Sequence, residues 1–157
     1  MKTKETFIPY INEGYSSKGD SIVLGAAILN NEPIGEAHVK IPLKTLNRHG
    51  LIAGATGTGK TKTIQVLSEQ LSSMGVPVLM MDIKGDFSGI AAAGEEKSFI
   101  TERHQKINIP FTPQKFPVEL LSLSEQPGVR LRATISEFGP VLFSRILDLN
   151  DVQSGVV

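Results

Sequence analysis

Residues 54–62 carry the clearest chemical pattern in this 157-residue chain. They contain a complete G-x-x-x-x-G-K-[ST] pattern, with Gly54, Gly59, Lys60 and Thr61 at its fixed positions. Glycines let the backbone approach phosphate oxygens closely, and consecutive N–H groups at the start of a helix attract negative charge. The pattern predicts a phosphate-binding loop in which the N–H groups from Gly57 to Thr61 hold most of the ligand.

Two side chains at the end of this loop have separate predicted roles. Lys60 would reach the β- and γ-phosphates as a point charge, and the Thr61 hydroxyl would occupy one coordination position on Mg²⁺. The expected cofactors are therefore ATP and Mg²⁺, while no residue can be assigned as catalytic. An ordinary glycine-rich turn is the plain alternative. The predicted nucleotide-binding set is Gly54, Ala55, Thr56, Gly57, Thr58, Gly59, Lys60, Thr61 and Lys62.

The segments around the loop have the pattern of a strand, a helix and a second strand. The apolar run 51–53 predicts a buried strand, and apolar residues spaced by three and four over 60–74 predict an amphipathic helix. Gly75 follows where a glycine commonly ends a helix. The run 76–83, apolar except for one aspartate, predicts a parallel strand covered on both faces. Together these segments predict a βαβ unit and an α/β fold.

Asp82 lies at the carboxyl end of the second predicted strand. Ligands bind at that end of the strands in α/β sheets, so Asp82 is the second candidate ligand for magnesium, beside Thr61. The alternative is that Asp82 only begins the tight turn that follows it.

The rest of the chain predicts short elements. Residues 1–46 predict a loose lead-in, with a short strand near 7–11, and then a β-hairpin formed by 21–29 and 38–41. Residues 47–157 form the predicted nucleotide-binding domain. Within it we expect a helix at 95–104, short strands in 107–110, 116–123 and 126–137, a helix opening at Pro140, and a capped helix after Asn150 with Gln153 three residues on.

Composition restricts the class of protein. Sixteen basic residues balance sixteen acidic ones, so the net charge does not indicate a nucleic-acid or membrane partner. The absence of cysteine rules out disulfides and fits a cytoplasmic location, and three scattered histidines do not suggest a zinc site. No apolar run is long enough to cross a membrane.

Residues 47–61 and 78–86 resemble the start of the ATPase domain of the HerA/FtsK superfamily, in its HerA-like branch. Residues 136–140 and 149–155 also resemble that branch. The resemblance implies a P-loop NTPase of the RecA/ASCE-like type, with an incomplete three-layer sheet and a small N-terminal β segment. It implies the N-terminal portion of a helicase-like hydrolase that forms a hexameric ring and uses ATP to translocate or unwind DNA. The Asp-Glu pair of such enzymes is missing from these residues, so we expect nucleotide binding with little hydrolysis.

Two other functions remain open. A small P-loop NTPase or kinase would use Asp82 as its magnesium acid, and a nucleotide-regulated binding module would need no catalysis. DNA is expected from the resemblance only, because no run of basic or alternating aromatic and basic residues marks a nucleic-acid groove.

Overall fold

The computed structural model describes residues 3–156 and divides the chain into two compact units, Met1–Val118 and Glu119–Val157. The first unit contains, in chain order, α1 (Lys4–Gly14), β1 (Ser21–Leu29), β2 (Glu32–Pro42), α2 (Lys60–Ser73) and α3 (Ser98–Ile107), with short 3-10 helices at Leu43–Thr45 and Ser88–Ala91. The second unit contains β3 (Leu121–Ser122), β4 (Val129–Arg130), α4 (Ile135–Ile146) and α5 (Asp151–Ser154). Helices and strands occur together, which confirms the α/β class.

The hairpin of β1 and β2 is the centre of the first unit. The two antiparallel strands are joined at Asn30 and Asn31, whose φ angles of 52° and 66° are both left-handed. Two such residues in succession are typical of a tight hairpin turn, and asparagine tolerates this conformation better than most residues. The fully buried side chains of the described residues, Ile22, Ile34 and Ala37, all belong to this hairpin. The predicted hairpin is therefore confirmed, with a longer second strand.

Helices pack on both strands of the hairpin. α1 and α3 contact β2, and α2 contacts β1. Asn12 in α1 donates its Nδ2 hydrogen to the Glu36 carbonyl oxygen at 3.0 Å. His38 in β2 lies 2.9 Å from the carbonyl oxygen of Ile107, through its Nε2 atom, at the end of α3. These polar contacts fix α1 and α3 to β2, the strand that contains the buried Ile34 and Ala37.

The second unit begins with a short parallel pair, β3 and β4. Val129 donates its backbone N–H to Leu120 at 2.7 Å, and Leu131 donates to Ser122 at 2.8 Å. Gly128 precedes this pair with a φ of +140°, and a Cβ atom there would lie 2.6 Å from the Leu120 carbonyl oxygen. The close approach of the two segments therefore requires glycine at this position.

The helices of the second unit agree in part with those predicted from the sequence. α4 is broken at Gly139, which has a φ of 66°, so the part after the break opens at Pro140 as predicted. The predicted N-cap of α5 is confirmed, because Asn150 Oδ1 accepts from the Gln153 N–H at 3.0 Å and Gln153 Oε1 accepts from the Asn150 N–H at 3.1 Å. Such reciprocal bonds satisfy backbone donors that a helix end leaves free.

The prediction of a strand on either side of α2 is wrong. Within residues 3–156, neither 51–53 nor 76–83 pairs with another strand, and the βαβ unit does not form. The expected three-layer sheet is likewise not present in the described part of the chain. A parallel strand needs neighbours for its N–H and C=O groups, and apolar sequence alone does not supply them. Their apolar side chains are instead largely exposed, at 89% for Leu51, 82% for Leu79, 91% for Met81 and 99% for Ile83.

Several smaller predictions also need correction. The lead-in contains α1 where a strand near 7–11 was expected, and Pro9 lies inside this helix although proline there removes a backbone hydrogen bond. The helix expected at 95–104 is confirmed with a shift, as α3. The strands expected in 107–110, 116–123 and 126–137 reduce to β3 and β4, and α4 begins at Ile135 inside the last of these ranges.

Candidate nucleotide-binding site

The glycine loop, residues 54–59, leads directly into α2. The helix begins at Lys60 as predicted, with Gly59 as its N-cap residue. Gly57 and Gly59 have φ angles of +80° and +94°, which only glycine adopts readily. α2 ends as predicted too, because Gly75 follows with a φ of +75° and donates its N–H to Ser72. The sequence therefore places both ends of this helix correctly.

The start of α2 offers backbone donors to an anion. No side chain caps the helix, and its first internal bond runs from the Thr63 N–H to the Gly59 carbonyl oxygen at 2.9 Å. The N–H groups of Lys60, Thr61 and Lys62 therefore precede the first bonded turn. A Cβ atom at Gly57 or Gly59 would have nothing within 4 Å. The loop thus borders open space where phosphate oxygens can approach the backbone.

The Lys60 ammonium group is bound to the loop itself. Its Nζ donates to the carbonyl oxygens of Gly54 and Ala55 at 2.8 Å and 2.7 Å. The Thr58 hydroxyl also donates to Ala55, at 2.8 Å. The positive charge is consequently held at the loop.

Gly54 has a steric reason to be glycine. A Cβ atom at this position would lie 2.5 Å from Thr58 Oγ1 and 3.7 Å from Lys60 Cγ. A side chain would displace the Thr58 hydroxyl and with it the bond to Ala55. Among the remaining members of the predicted set, Thr56 is exposed.

Thr61 and Lys62 differ in their surroundings. Thr61 is half-buried in the first turn of α2, whereas Lys62 is exposed. Lys62 affects Glu69 on the same helix. Burial raises the pKa of the Glu69 carboxyl group, and the positive charge of Lys62 opposes that rise. The charge of Lys62 therefore acts on Glu69 at the surface of α2, and no contact between the Lys62 side chain and the glycine loop is seen.

Asp82 is the centre of a tight turn, residues 82–87, which we term the Asp82 turn. Its Oδ1 accepts the backbone N–H groups of Lys84 at 3.2 Å and Gly85 at 2.8 Å, and its Oδ2 accepts that of Phe87 at 2.9 Å. The Phe87 bond is the largest cause of a lowered pKa for Asp82, so the carboxylate form is favoured. Asp82 therefore makes the turn that the sequence offered as an alternative to metal binding. The backbone N–H groups of Gly85, Asp86 and Lys84 contribute to the lowered pKa as well, so four backbone donors act on this carboxylate.

Gln65 connects α2 to the Asp82 turn, and the sequence does not reveal this. Its Nε2 donates to the Asp86 carbonyl oxygen at 3.1 Å, and Gln65 is 8% exposed. Ser68, 7% exposed, has its Oγ 2.9 Å from the Ile64 carbonyl oxygen and 3.3 Å from Met80 Sδ. The amphipathic pattern of α2 assigns both polar residues to solvent, because the pattern counts apolar residues and cannot show a polar partner from a distant segment.

Gln70 connects α2 to the hairpin in the same way. Its Oε1 accepts the Val23 N–H at 2.7 Å, and its Nε2 donates to the Val23 carbonyl oxygen at 2.8 Å. The amide thus bonds to β1 as a neighbouring strand would. The helix that starts at the glycine loop is therefore held by two amide side chains, one to each neighbouring segment.

Other kinds of site have no support in the described residues. No group of three or more His, Asp or Glu residues in 3–156 is arranged to hold a metal ion. Thr61 and Asp82 would each supply only one ligand, as is usual for magnesium bound with a nucleotide. None of the helices described is both long and apolar enough to span a membrane.

Residues 28–157 match the protein family described as Helicase HerA-like C-terminal. The chain belongs to this family. The predicted resemblance to HerA-like proteins is confirmed, but the expectation of an N-terminal portion is corrected, because the matching family is the C-terminal region of such helicases. The residues of the glycine loop carry no information on where the domain lies within a protein.

Three relatives of this HerA-like chain are named DNA double-strand break repair helicase HerA. The protein of Saccharolobus solfataricus is 37% identical over 73 residues, which cover 46% of this chain and 13% of the relative. That of Sulfolobus acidocaldarius is 43% identical over 49 residues, which cover 31% of this chain and 10% of the relative. That of Sulfurisphaera tokodaii is 33% identical over 98 residues, which cover 62% of this chain and 19% of the relative. The matched segments span less than a fifth of each relative. No solved structure matches the chain.

Proposed function

We propose that this HerA-like chain binds MgATP on its glycine loop and the first turn of α2. The whole protein would use ATP hydrolysis to translocate or unwind DNA, as a homo-oligomeric ring. The observation that supports binding is the start of α2, where Gly57 and Gly59 are left-handed and face open space. Uncapped N–H groups in this position favour a phosphate ligand. The DNA activity is inferred from the relatives, which are named as DNA repair helicases.

The residues of the chain have distinct roles in the proposed site. The backbone from Gly57 to Thr61 orients the phosphates, and Lys60 exchanges its bonds to Gly54 and Ala55 for bonds to phosphate oxygens. Because this exchange replaces neutral carbonyl acceptors with charged ones, it strengthens the lysine bonds. When bound, Mg²⁺ would neutralise phosphate charge, with the Thr61 hydroxyl as one ligand.

Lys60→Ala tests the binding site. A charged hydrogen bond contributes about 1.5–3 kcal/mol, so we expect the Kd for a fluorescent ATP analogue with Mg²⁺ to rise about 10- to 100-fold. Lys44→Ala is a suitable control, because Lys44 is an exposed lysine in the 3-10 helix Leu43–Thr45. Equal affinity in the two variants would exclude the glycine loop as the phosphate site.

Phosphate release, followed with and without DNA, tests the enzymatic part of the proposal. No apolar run in this sequence ends in an Asp-Glu pair, so we expect little turnover from the 157 residues alone. Rapid Mg²⁺-dependent release that DNA does not change would instead favour a small P-loop NTPase with Asp82 as its magnesium acid. Binding of ATP and ADP with equal affinity and no turnover would favour a nucleotide-regulated binding module.

A further inference from the structure

The outer face of α3 carries an aromatic ring together with two positive charges. Phe99, Arg103 and Lys106 are spaced by four and three residues, so they lie in one stripe along this helix, which we term the α3 stripe. All three side chains are exposed, and Phe99 is 65% exposed. Because the helix, and not the sequence, makes these residues neighbours, a search for basic runs does not reveal them.

The inner side of α3 is the side that attaches to the rest of the first unit. Ile100, His104 and Ile107, each one position after a member of the stripe, are half-buried. The Ile107 carbonyl oxygen lies 2.9 Å from His38 Nε2 in β2, and His104 Nδ1 lies 2.9 Å from the Ile109 carbonyl oxygen. The helix is therefore held in place by residues outside the α3 stripe, and the stripe itself is left uncovered.

The two cations of the stripe have no partner among the described residues. The ion pair seen within 3–156 joins Lys97 to Glu95 at 3.6 Å, and neither Arg103 nor Lys106 makes a side-chain hydrogen bond there. One exposed apolar side chain is common on a protein surface and needs no explanation. An exposed aromatic ring that shares its face with two unpaired cations matches a ligand that has both a flat apolar face and negative charge.

We propose that the α3 stripe is a contact surface for single-stranded DNA. One base stacks on the Phe99 ring, and Arg103 and Lys106 bind phosphates of the same strand. Aromatic side chains combined with cations are the usual means of binding a single strand, whose unpaired bases expose their faces. The bases of a duplex are stacked on one another and do not offer a free face to the ring. This inference goes beyond the nucleotide site and rests on the proposed action on DNA.

The first test measures the contribution of the aromatic ring. The Kd of the 157-residue chain for a fluorescein-labelled oligothymidylate of about 12 nucleotides is measured without ATP. Phe99→Leu keeps an apolar side chain but removes the ring, and we expect the Kd to rise about 10-fold. Tyr10→Leu is the matched control, because Tyr10 is a 61% exposed aromatic residue in α1. Its Kd should stay within about twofold of wild type.

The second test measures the contribution of the charges. Arg103→Gln and Lys106→Gln should each reduce the slope of log Kd against log salt concentration by about 0.7, the value for one phosphate contact on a single strand. Lys44→Gln removes an exposed lysine elsewhere and should leave the slope unchanged. Glu102, three residues after Phe99, lies at the edge of the stripe. Glu102→Gln removes a charge that repels phosphate, so it should lower the Kd, which a general loss of stability would not do.

The third test detects stacking directly. The chain contains no tryptophan, so Phe99→Trp introduces a single indole into the stripe. This variant keeps an aromatic ring and should bind the oligothymidylate at least as tightly as wild type. A base stacked on the indole should quench its fluorescence, with the midpoint of quenching at the measured Kd. Circular dichroism establishes that each variant is folded.

The outcomes separate this inference from the proposals on which it depends. Oligonucleotide binding that the stripe variants weaken no more than Lys44→Gln does, or indole fluorescence unchanged at saturation, would overturn the α3 stripe while the action on DNA stands. Equal affinity for a duplex of the same length would also overturn it, and so would displacement by polyglutamate as effective as by unlabelled oligonucleotide, which would indicate an acidic peptide as the partner. Failure of the wild-type chain to bind DNA would overturn the stripe and the action on DNA together, whereas Lys60→Ala tests the nucleotide site separately.

Discussion

Replacing Gln70 with alanine should weaken the attachment of α2 to the hairpin. The Gln70 amide makes two bonds to the backbone of Val23, at 2.7 Å and 2.8 Å, and both are partly buried. Each such bond contributes about 0.5–1.5 kcal/mol net. Alanine has the higher helix propensity and recovers a few tenths of a kcal/mol. We therefore expect Gln70→Ala to lower the free energy of unfolding of the first unit by about 2 kcal/mol.

The assay is urea and thermal unfolding of the whole chain, with amide hydrogen exchange at Val23 as a local measure. A loss of about 2 kcal/mol lowers the Tm of a unit of this size by about 6–10 °C. The Val23 N–H should exchange faster in the variant, because its acceptor is gone. Gln70→Glu separates the two bonds, since a carboxylate still accepts from the Val23 N–H but cannot donate to its carbonyl oxygen.

The matched control is Gln114→Ala, because Gln114 is exposed and no side-chain hydrogen bond of it is seen. This change should shift the free energy of unfolding by less than about 0.5 kcal/mol. If Gln70→Ala is no more destabilising than Gln114→Ala, and Val23 exchange is unchanged, the amide contributes nothing to the attachment of α2. The geometric reasoning would then be refuted.

Two further predictions concern glycine and pH. Gly128→Ala should destabilise the second unit by about 1–3 kcal/mol, because the added Cβ would lie 2.6 Å from the Leu120 carbonyl oxygen on a left-handed backbone. Urea unfolding measures this loss, with Gly155→Ala as the control. Equal free energies of unfolding for the two variants would contradict the prediction. Backbone donors lower the pKa of Asp82 below its ordinary value of 3.8, so its contribution to stability is present above that value and is lost as the pH falls through the lowered pKa. In Asp82→Asn, the free energy of unfolding should therefore fall less steeply below about pH 4 than in wild type, as measured by urea titrations at a series of pH values. An equally steep fall in both proteins would show that the turn does not depend on the charge of Asp82.

The features that the sequence predicts correctly depend on neighbouring residues. α2 follows from the spacing of its apolar residues and from Gly75, and the capped start of α5 follows from Asn150 and Gln153. The hairpin follows from the strand patterns of 21–29 and 38–41, although its second strand begins earlier than predicted. Each of these features is determined within a few residues, so a single sequence contains the information required to predict it.

The features that the sequence misses depend on distant partners. The runs 51–53 and 76–83 have the composition of buried strands, but whether they pair depends on which other segments lie beside them. The roles of Gln65 and Gln70 could not be predicted either, since their partners are backbone groups 21 and 47 residues away. The glycine loop follows from its own residues, whereas the bonds of Lys60 to that loop depend on how the loop folds.

The contact between Gln70 and Val23 also bears on how the boundary of this domain is defined. The family match begins at residue 28, inside β1, whereas Val23 and the buried Ile22 lie before it. A polypeptide trimmed to the match would keep only the last two residues of that strand, and the Gln70 amide would have no backbone to bind. The stretch that matches the family is therefore shorter than the stretch that folds together, and an expression boundary should be chosen from the hydrogen bonds of β1.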